Sequence, residues 1–157
     1  RRYTLLASEI KSALDSGKTV AYVTLGDNML YSTSLYLAQK LRELDITPIF
    51  IAGVPSYVAC ANIAAIPLGE RRDSFVVQGM PDTAEELHEL TLKFRTVVIM
   101  KISKRLPILL EYVKRYSPTV ATIVKRATLE GEMIVDLTKS TDVEADAGYL
   151  AVAIIKL

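Results

Sequence analysis

The chain has 157 residues, which suits one domain or two small lobes, and half of it is hydrophobic, enough to bury a core. Its 19 Lys and Arg against 18 Asp and Glu leave a net charge of +1, which argues against a dedicated nucleic-acid or membrane-surface binder. One cysteine (Cys60) and one histidine (His88) exclude an internal disulfide and a Cys/His zinc site. A reducing cytoplasm is the expected location, and no apolar run approaches the length of a membrane span.

In chain order, Tyr3, Leu6, Ile10, Ala13 and Leu14 recur at helical spacing, and Gly17 stops that helix. Residues 19–25 (TVAYVTL) form a short β-rich run ended by Gly26-Asp27-Asn28. Leu37, Ala38, Leu41 and Leu44 mark a second helix, and residues 48–51 a second buried strand. Ala52-Gly53-Val54-Pro55 reads as a turn, after which Ser56 is placed to cap a short helix through Ala65. The apolar runs are nearly continuous rather than alternating. That pattern predicts burial on both faces, as in a largely parallel sheet between helices.

Pro67-Leu68-Gly69-Glu70-Arg71-Arg72-Asp73 gathers turn formers and charges and is the expected lobe boundary. It divides the chain into residues 1–68, the remainder of a first α/β lobe, and residues 73–157, a second one. Residues 74–78 then read as a strand, and Thr83-Ala84-Glu85-Glu86 as a capping box for a helix carrying Leu87 and Leu90. Residues 96–100 (TVVIM) are a strand, and Leu106, Leu109, Leu110 and Val113 one helix face. Residues 119–124 are a strand, 133–137 a short ambiguous segment, and 149–155 a closing strand. There is no internal repeat.

In an open α/β sheet, ligands sit at the carboxyl ends of strands. Three such ends stand out: Gly26-Asp27, the turn from Ala52 to Ser56, and Met100-Lys101. Gly26 and Gly53 allow close backbone approach, and Asp27 can accept a hydrogen bond from an amine or a ribose hydroxyl. On spacing alone, Asp27 is equally an ordinary turn residue. Met29, Met80 and Met100 suit core filling, and Cys60 a buried packing role. His88, beside Glu85, Glu86 and Glu89, suits a solvated surface. Arg71, Arg72, Lys101, Lys104, Arg105, Lys125 and Arg126 cluster near predicted loops; most belong to a solvated surface, and a rim for carboxylates is the functional alternative. No Ser/His/Asp constellation, P-loop or metal-ligand spacing occurs.

Several stretches go further. Residues 24–33 (TLGDNMLYST) resemble the TLGDPMLYST signature of precorrin-2 carbon-20 methyltransferases, within the tetrapyrrole methylase family. Residues 51–57 with 66–68 resemble that family's IPGITSF…GIPL segment. Residues 96–101 resemble its TVVLMK strand, Lys125-Arg126-Ala127-Thr128 with Glu132 its RAT…E element, and residues 149–156 its closing strand. Order and spacing hold over essentially the whole chain.

The resemblance implies a two-lobed α/β fold, with an incomplete, largely parallel sheet in the first lobe and a mixed sheet in the second. It implies S-adenosylmethionine bound in a cleft between lobes, and a reduced tetrapyrrole as methyl acceptor, methylated at carbon 20 of precorrin-2 or its cobalt form in cobalamin biosynthesis. It also implies a homodimer, with neither nucleic acid nor membrane as partner. By analogy the donor touches Gly26, Asp27, Leu30, Pro55, Ser56, Met100 and Ala121. The bends at Gly26-Asp27 and at Gly53 are expected to face each other across a crevice and grip the adenosyl group.

Departures from the pattern are specific. Asn28 replaces the usual proline, Ala52 and Pro55 replace the proline and threonine of PGIT, and Gly148 and Ala151 replace a proline and a serine. The chain opens at Arg1-Arg2 directly into a helical pattern and lacks the family's amino-terminal strand and GxGPG loop, so it reads as a fragment that is expected to be inactive on its own. A sibling methylase with another position or acceptor, and a degenerate non-catalytic binding domain, are the alternatives.

Overall fold

The computed structural model describes residues 1–157, which form two compact units, 1–55 and 56–157. No helix is long and apolar enough to cross a membrane.

The first unit is built on α1 (Arg2–Asp15) and α2 (Ser34–Arg42). Ala7 of α1 meets Leu37 and Leu41 of α2, with Tyr3, Leu6, Ile10, Leu44 and Ile46 around them. That is the helical stripe expected from the sequence, and Gly17 follows α1 at φ +80°, a left-handed conformation that glycine adopts freely. The two apolar runs behave differently from expectation. Neither residues 19–25 nor 48–51 join a ladder, because the one sheet in the chain lies entirely in the second unit. Val23 is 87% exposed and Ile49 91%. A strand exists only through paired backbone groups, and these runs have no strand beside them. Residues 1–55 therefore contain no paired strands, and the sheet found is the mixed one of the second unit.

The second unit begins with α3 (Ser56–Ile63), so the chain divides after Pro55 and not at 67–73. The reason is packing. Cys60 of α3 is buried against Val98, Val124 and Val152 of the sheet. Turn formers at 67–73 mark a loop, but the contacts of α3 assign it to the second unit.

That sheet contains β1 (Phe75–Gly79), β2 (Thr96–Met100), β3 (Val120–Lys125), β4 (Met133–Asp136) and β5 (Ala151–Lys156). Its order is β1-β2-β5-β3-β4. The β1–β2 pair is parallel and the others antiparallel, the mixed sheet expected for this region. Between β1 and β2 runs α4 (Ala84–Lys93), and α5 (Leu106–Tyr116) precedes β3.

Both faces of the sheet are buried, which explains the continuous apolar strands. Val97, Ile99, Ala121, Ile123, Ala153 and Ile155 pack with Leu87 of α4 and Leu109 and Tyr112 of α5. Val98, Val124 and Val152 face the other way, toward α3. Half of the expected capping box forms: Thr83 Oγ1 accepts from the Glu86 amide at 3.2 Å, while Glu86 Oε2 accepts from the amide of Asp82, one residue before the N-cap, at 3.0 Å.

His88 is not a solvated surface residue. Its ring stacks on Tyr116 of α5 at 3.9 Å with 10° between planes, and its Nδ1 is buried without a partner. The surrounding glutamates suggest water, but the aromatic partners come from another helix.

Candidate functional site

Within the first unit, the bends at 26–29 and 51–53 meet. Asp27 Oδ2 accepts from the Gly53 amide at 2.9 Å, and Asp27 Oδ1 accepts from the Met29 amide at 2.7 Å. One carboxylate thus closes its own turn and clasps a segment 26 residues away. Asn28 adds a second clasp, its Nδ2 donating to the Ile51 carbonyl at 2.8 Å. These side-chain bonds join two runs that no backbone ladder joins.

Glycine is required at both ends of this junction. Gly26 sits at φ +72°. A Cβ added to Gly53 would overlap the Gly26 carbonyl oxygen and lie 3.4 Å from the Asp27 Cα. The expected crevice between the bends is therefore closed by direct contact. Whatever these bends present to a ligand is their shared outer edge.

The electrostatics reflect the same bonds. The Gly53 amide, and then the Met29 amide, hold the Asp27 carboxyl below its ordinary value, because both bonds favour the ionised form; desolvation opposes them. An anionic group is thus fixed beside bare glycine backbone. Behind it, Ser34 Oγ donates to the Asn28 carbonyl at 3.1 Å, which ties the bend to the first turn of α2. Leu30 is half-buried in the same loop. Pro55, also half-buried, closes this unit, and Ser56 is the first residue of α3 rather than its cap.

Within the second unit, the carboxyl ends of β2 and β3 and the start of β5 share one edge of the sheet, since Lys125 pairs with Ala151 and the Arg126 amide donates to the Leu150 carbonyl at 2.9 Å. Backbone strain concentrates there. Lys101, Ser103, Arg126, Thr128 and Leu150 all have φ between +22° and +65° without being glycine. Gly148 makes the crowding possible: its carbonyl accepts from the Ser103 amide at 2.9 Å, and a Cβ there would approach that same nitrogen to 2.9 Å.

Met100 stands at this edge, half-buried, packed against the Val98, Val124 and Val152 cluster. Ala121 does not. It lies near the start of β3, fully buried among the residues facing α4 and α5, and its carbonyl accepts from the Leu137 amide at 2.8 Å. Met100 and Ala121 therefore point to opposite faces. Ala127, one residue past the strained Arg126, packs against the same cluster as Met100 and is a residue that sequence reasoning misses. The signal is available, since Ala127 lies inside the Arg-Ala-Thr element itself.

The basic rim is partly spoken for. Arg105 pairs with Asp82 and donates to the Met80 carbonyl, Arg126 Nε donates to the Glu130 carbonyl at 2.6 Å, and Lys125 pairs with Asp146. Arg71, Arg72 and Lys104 are exposed. Cys60 is inert: burial, and secondarily the charge of Glu132, push its thiol up to about 11. No group of His, Cys, Asp and Glu is arranged to hold a metal. A shallow depression lined by Arg1, Arg2, Leu5, Leu6 and Glu9 lies on α1 and includes none of the candidate residues.

Residues 2–141 match the family model described as Tetrapyrrole (Corrin/Porphyrin) Methylases. A Methanocaldococcus jannaschii protein named "Probable cobalt-precorrin-2 C(20)-methyltransferase" is 32% identical over 151 residues; that covers 94% of this chain, which spans 63% of the relative's length. The solved structure of a cobalt precorrin-4 methyltransferase superposes with a TM-score of 0.74 at 17% identity, over 96% of this chain and 69% of that one. A uroporphyrin-III C-methyltransferase from Thermus thermophilus, complexed with S-adenosyl homocysteine, gives a TM-score of 0.57 at 19% identity, over 83% and 62%.

Proposed function

Because the chain belongs to the tetrapyrrole methylase family, we propose that the protein carrying it transfers a methyl group from S-adenosylmethionine to carbon 20 of precorrin-2 or of its cobalt form, in cobalamin biosynthesis. The observation that carries this reading is the clasped pair of bends, in which Asp27 fixes a carboxylate beside the bare backbone of Gly26 and Gly53. The carbon-20 assignment draws on the named relative, 32% identical to this chain, and on the residue 24–33 signature. The donor draws on the Thermus thermophilus neighbour and its bound S-adenosyl homocysteine.

The residues fit such a donor. An ionised Asp27 complements a cationic amine or sulfonium. Gly26 and Gly53 leave the joined bends without side chains at those two positions. Within the first unit Leu30 and Pro55 are half-buried apolar residues, and within the second unit Met100 and Ala127 are as well.

S-adenosylmethionine supplies a methyl activated on a sulfonium, which an electron-rich ring carbon displaces in line. The protein's task is then positioning. Holding both reactants in a near-attack geometry supplies roughly 7–11 kcal/mol of the barrier. A carboxylate held by two backbone amides cannot swing away, and strained backbone at the sheet edge fixes the groups it carries. The reading of a degenerate domain loses its motive at Asn28, because that departure makes a clasp to Ile51 and does not leave a gap.

The deciding experiment incubates the full-length protein with precorrin-2 or cobalt-precorrin-2 and carbon-13 methyl-labelled donor, then locates the label by NMR. Label at carbon 20 is expected. Label at another ring position moves the assignment to a sibling methylase, and no transfer to either acceptor refutes it.

A further inference from the structure

Resting on that reading, we infer that the Lys125 ammonium binds a side-chain carboxylate of the methyl acceptor, with Asp146 as a built-in carboxylate that the acceptor displaces.

Lys125 is the last residue of β3, in register with Met133 of β4 and Ala151 of β5, so it stands inside the sheet's strained edge and not on its periphery. It is only 8% exposed. A buried ammonium needs an anion. It has one in Asp146, whose Oδ2 lies 2.7 Å from Nζ. The two partners are unequal, however. The Lys125 side chain is 10% exposed and that of Asp146 64%. The cation is fixed by the sheet, whereas the anion reaches in from the connection between β4 and β5 with most of its surface in water. Asp146 supplies one acceptor, and an ammonium carries three N–H donors.

Exchanging one carboxylate for another at such a site conserves charge. The incoming group replaces the contact, and Asp146 returns to a solvent it already touches. Asp146 is ionised at neutral pH even at its ordinary value, and its bond to Lys125 only lowers its carboxyl further. The residues around it are rigid. Arg126 comes next at φ +52° with its guanidinium tied to the Glu130 carbonyl, and the Ser103–Gly148 contact pins the connection two residues beyond Asp146. A reduced tetrapyrrole bearing acetate and propionate groups is the kind of polyanion such a fixed cation selects.

The test uses the full-length protein with two probes: uroporphyrin III, an octacarboxylate tetrapyrrole, followed by fluorescence quenching, and S-adenosylhomocysteine, followed by calorimetry. Lys125→Met is expected to weaken porphyrin binding about tenfold and to leave S-adenosylhomocysteine binding unchanged. Lys125→Arg, which keeps the charge, is expected to retain porphyrin binding. Asp146→Asn is expected to strengthen it, because the internal competitor is gone. A purely structural ion pair predicts instead that Lys125→Met and Asp146→Asn weaken it alike, and that result overturns the inference. So does normal porphyrin binding by Lys125→Met beside wild-type protein that binds both probes. Wild-type protein that binds neither overturns the methyltransferase reading, and this inference with it.

Discussion

The Asp27 carboxylate accepts the Gly53 amide at 2.9 Å, across 26 residues of sequence, while its other oxygen closes the turn at Met29. This bond makes one platform of two loops. No ladder pairs residues 19–25 with 48–51, and the clasp joins the bends that follow them.

Removing the clasp acceptor tests this directly. Asp27→Ala leaves two amides without their acceptor, and Asp27→Asn replaces one carboxylate oxygen by a group that cannot accept. Both variants are expected to weaken S-adenosylhomocysteine binding by about tenfold, with Asn no better than Ala. Calorimetry reads the effect, and Asn binding as well as wild type would contradict the clasp.

Gly53→Ala tests the same junction sterically. The new Cβ overlaps the Gly26 carbonyl oxygen, and that oxygen is backbone. The bends must separate, at a cost of about 1–3 kcal/mol. Urea denaturation should show a lower midpoint, with donor affinity falling as well. A variant of unchanged midpoint and affinity would show that the bends are not in contact.

The clasp also predicts a pH response. Because the folded Asp27 carboxyl is held below its ordinary value, its contribution is fully present above the unfolded pKa of about 3.9 and is lost as pH falls through the lower, folded value. The Gly53 amide NMR shift should therefore titrate with a midpoint below about 3.9. A midpoint at or above that value, or a shift insensitive to acid, counts against the bond.

The second unit is largely legible from periodicity. β2 matches the TVVIM run, and Thr83 caps α4. Sequence reasoning fails wherever the deciding contact is distant along the chain. Residues 19–25 have the composition of a strand, but composition does not supply a partner. The turn formers at 67–73 say nothing about Cys60 reaching Val124. Gly-Asp-Asn reads as a turn, which it is; that Asp27 also holds Gly53 cannot be seen locally. Analogy points to Ala121, and strand alternation places it in the core.

His88 shows the same principle and yields its own prediction. Its neighbours in sequence are acidic, but its ring lies flat on Tyr116 with Nδ1 buried and unpartnered. His88→Ala should destabilise by about 1–2 kcal/mol through loss of the stack. His88→Phe keeps the stack and removes the unsatisfied nitrogen, so it should be neutral or stabilising. Thermal melts decide, and a Phe variant as unstable as Ala would contradict the stacking account.

Cys60 should be silent until the fold opens. With burial pushing its thiol up to about 11, a thiol reagent at pH 8 should label native protein far more slowly than protein in urea. Equal rates would place Cys60 outside the core.

The most direct measurement is calorimetric titration of S-adenosylhomocysteine into the full-length protein and its Asp27→Ala variant, side by side. The wild type should bind at a saturable site, and the variant about tenfold more weakly with its fold intact. No binding by the wild type, or equal binding by both, would mean that the clasped bends at Gly26-Asp27 and Gly53 do not form a donor site.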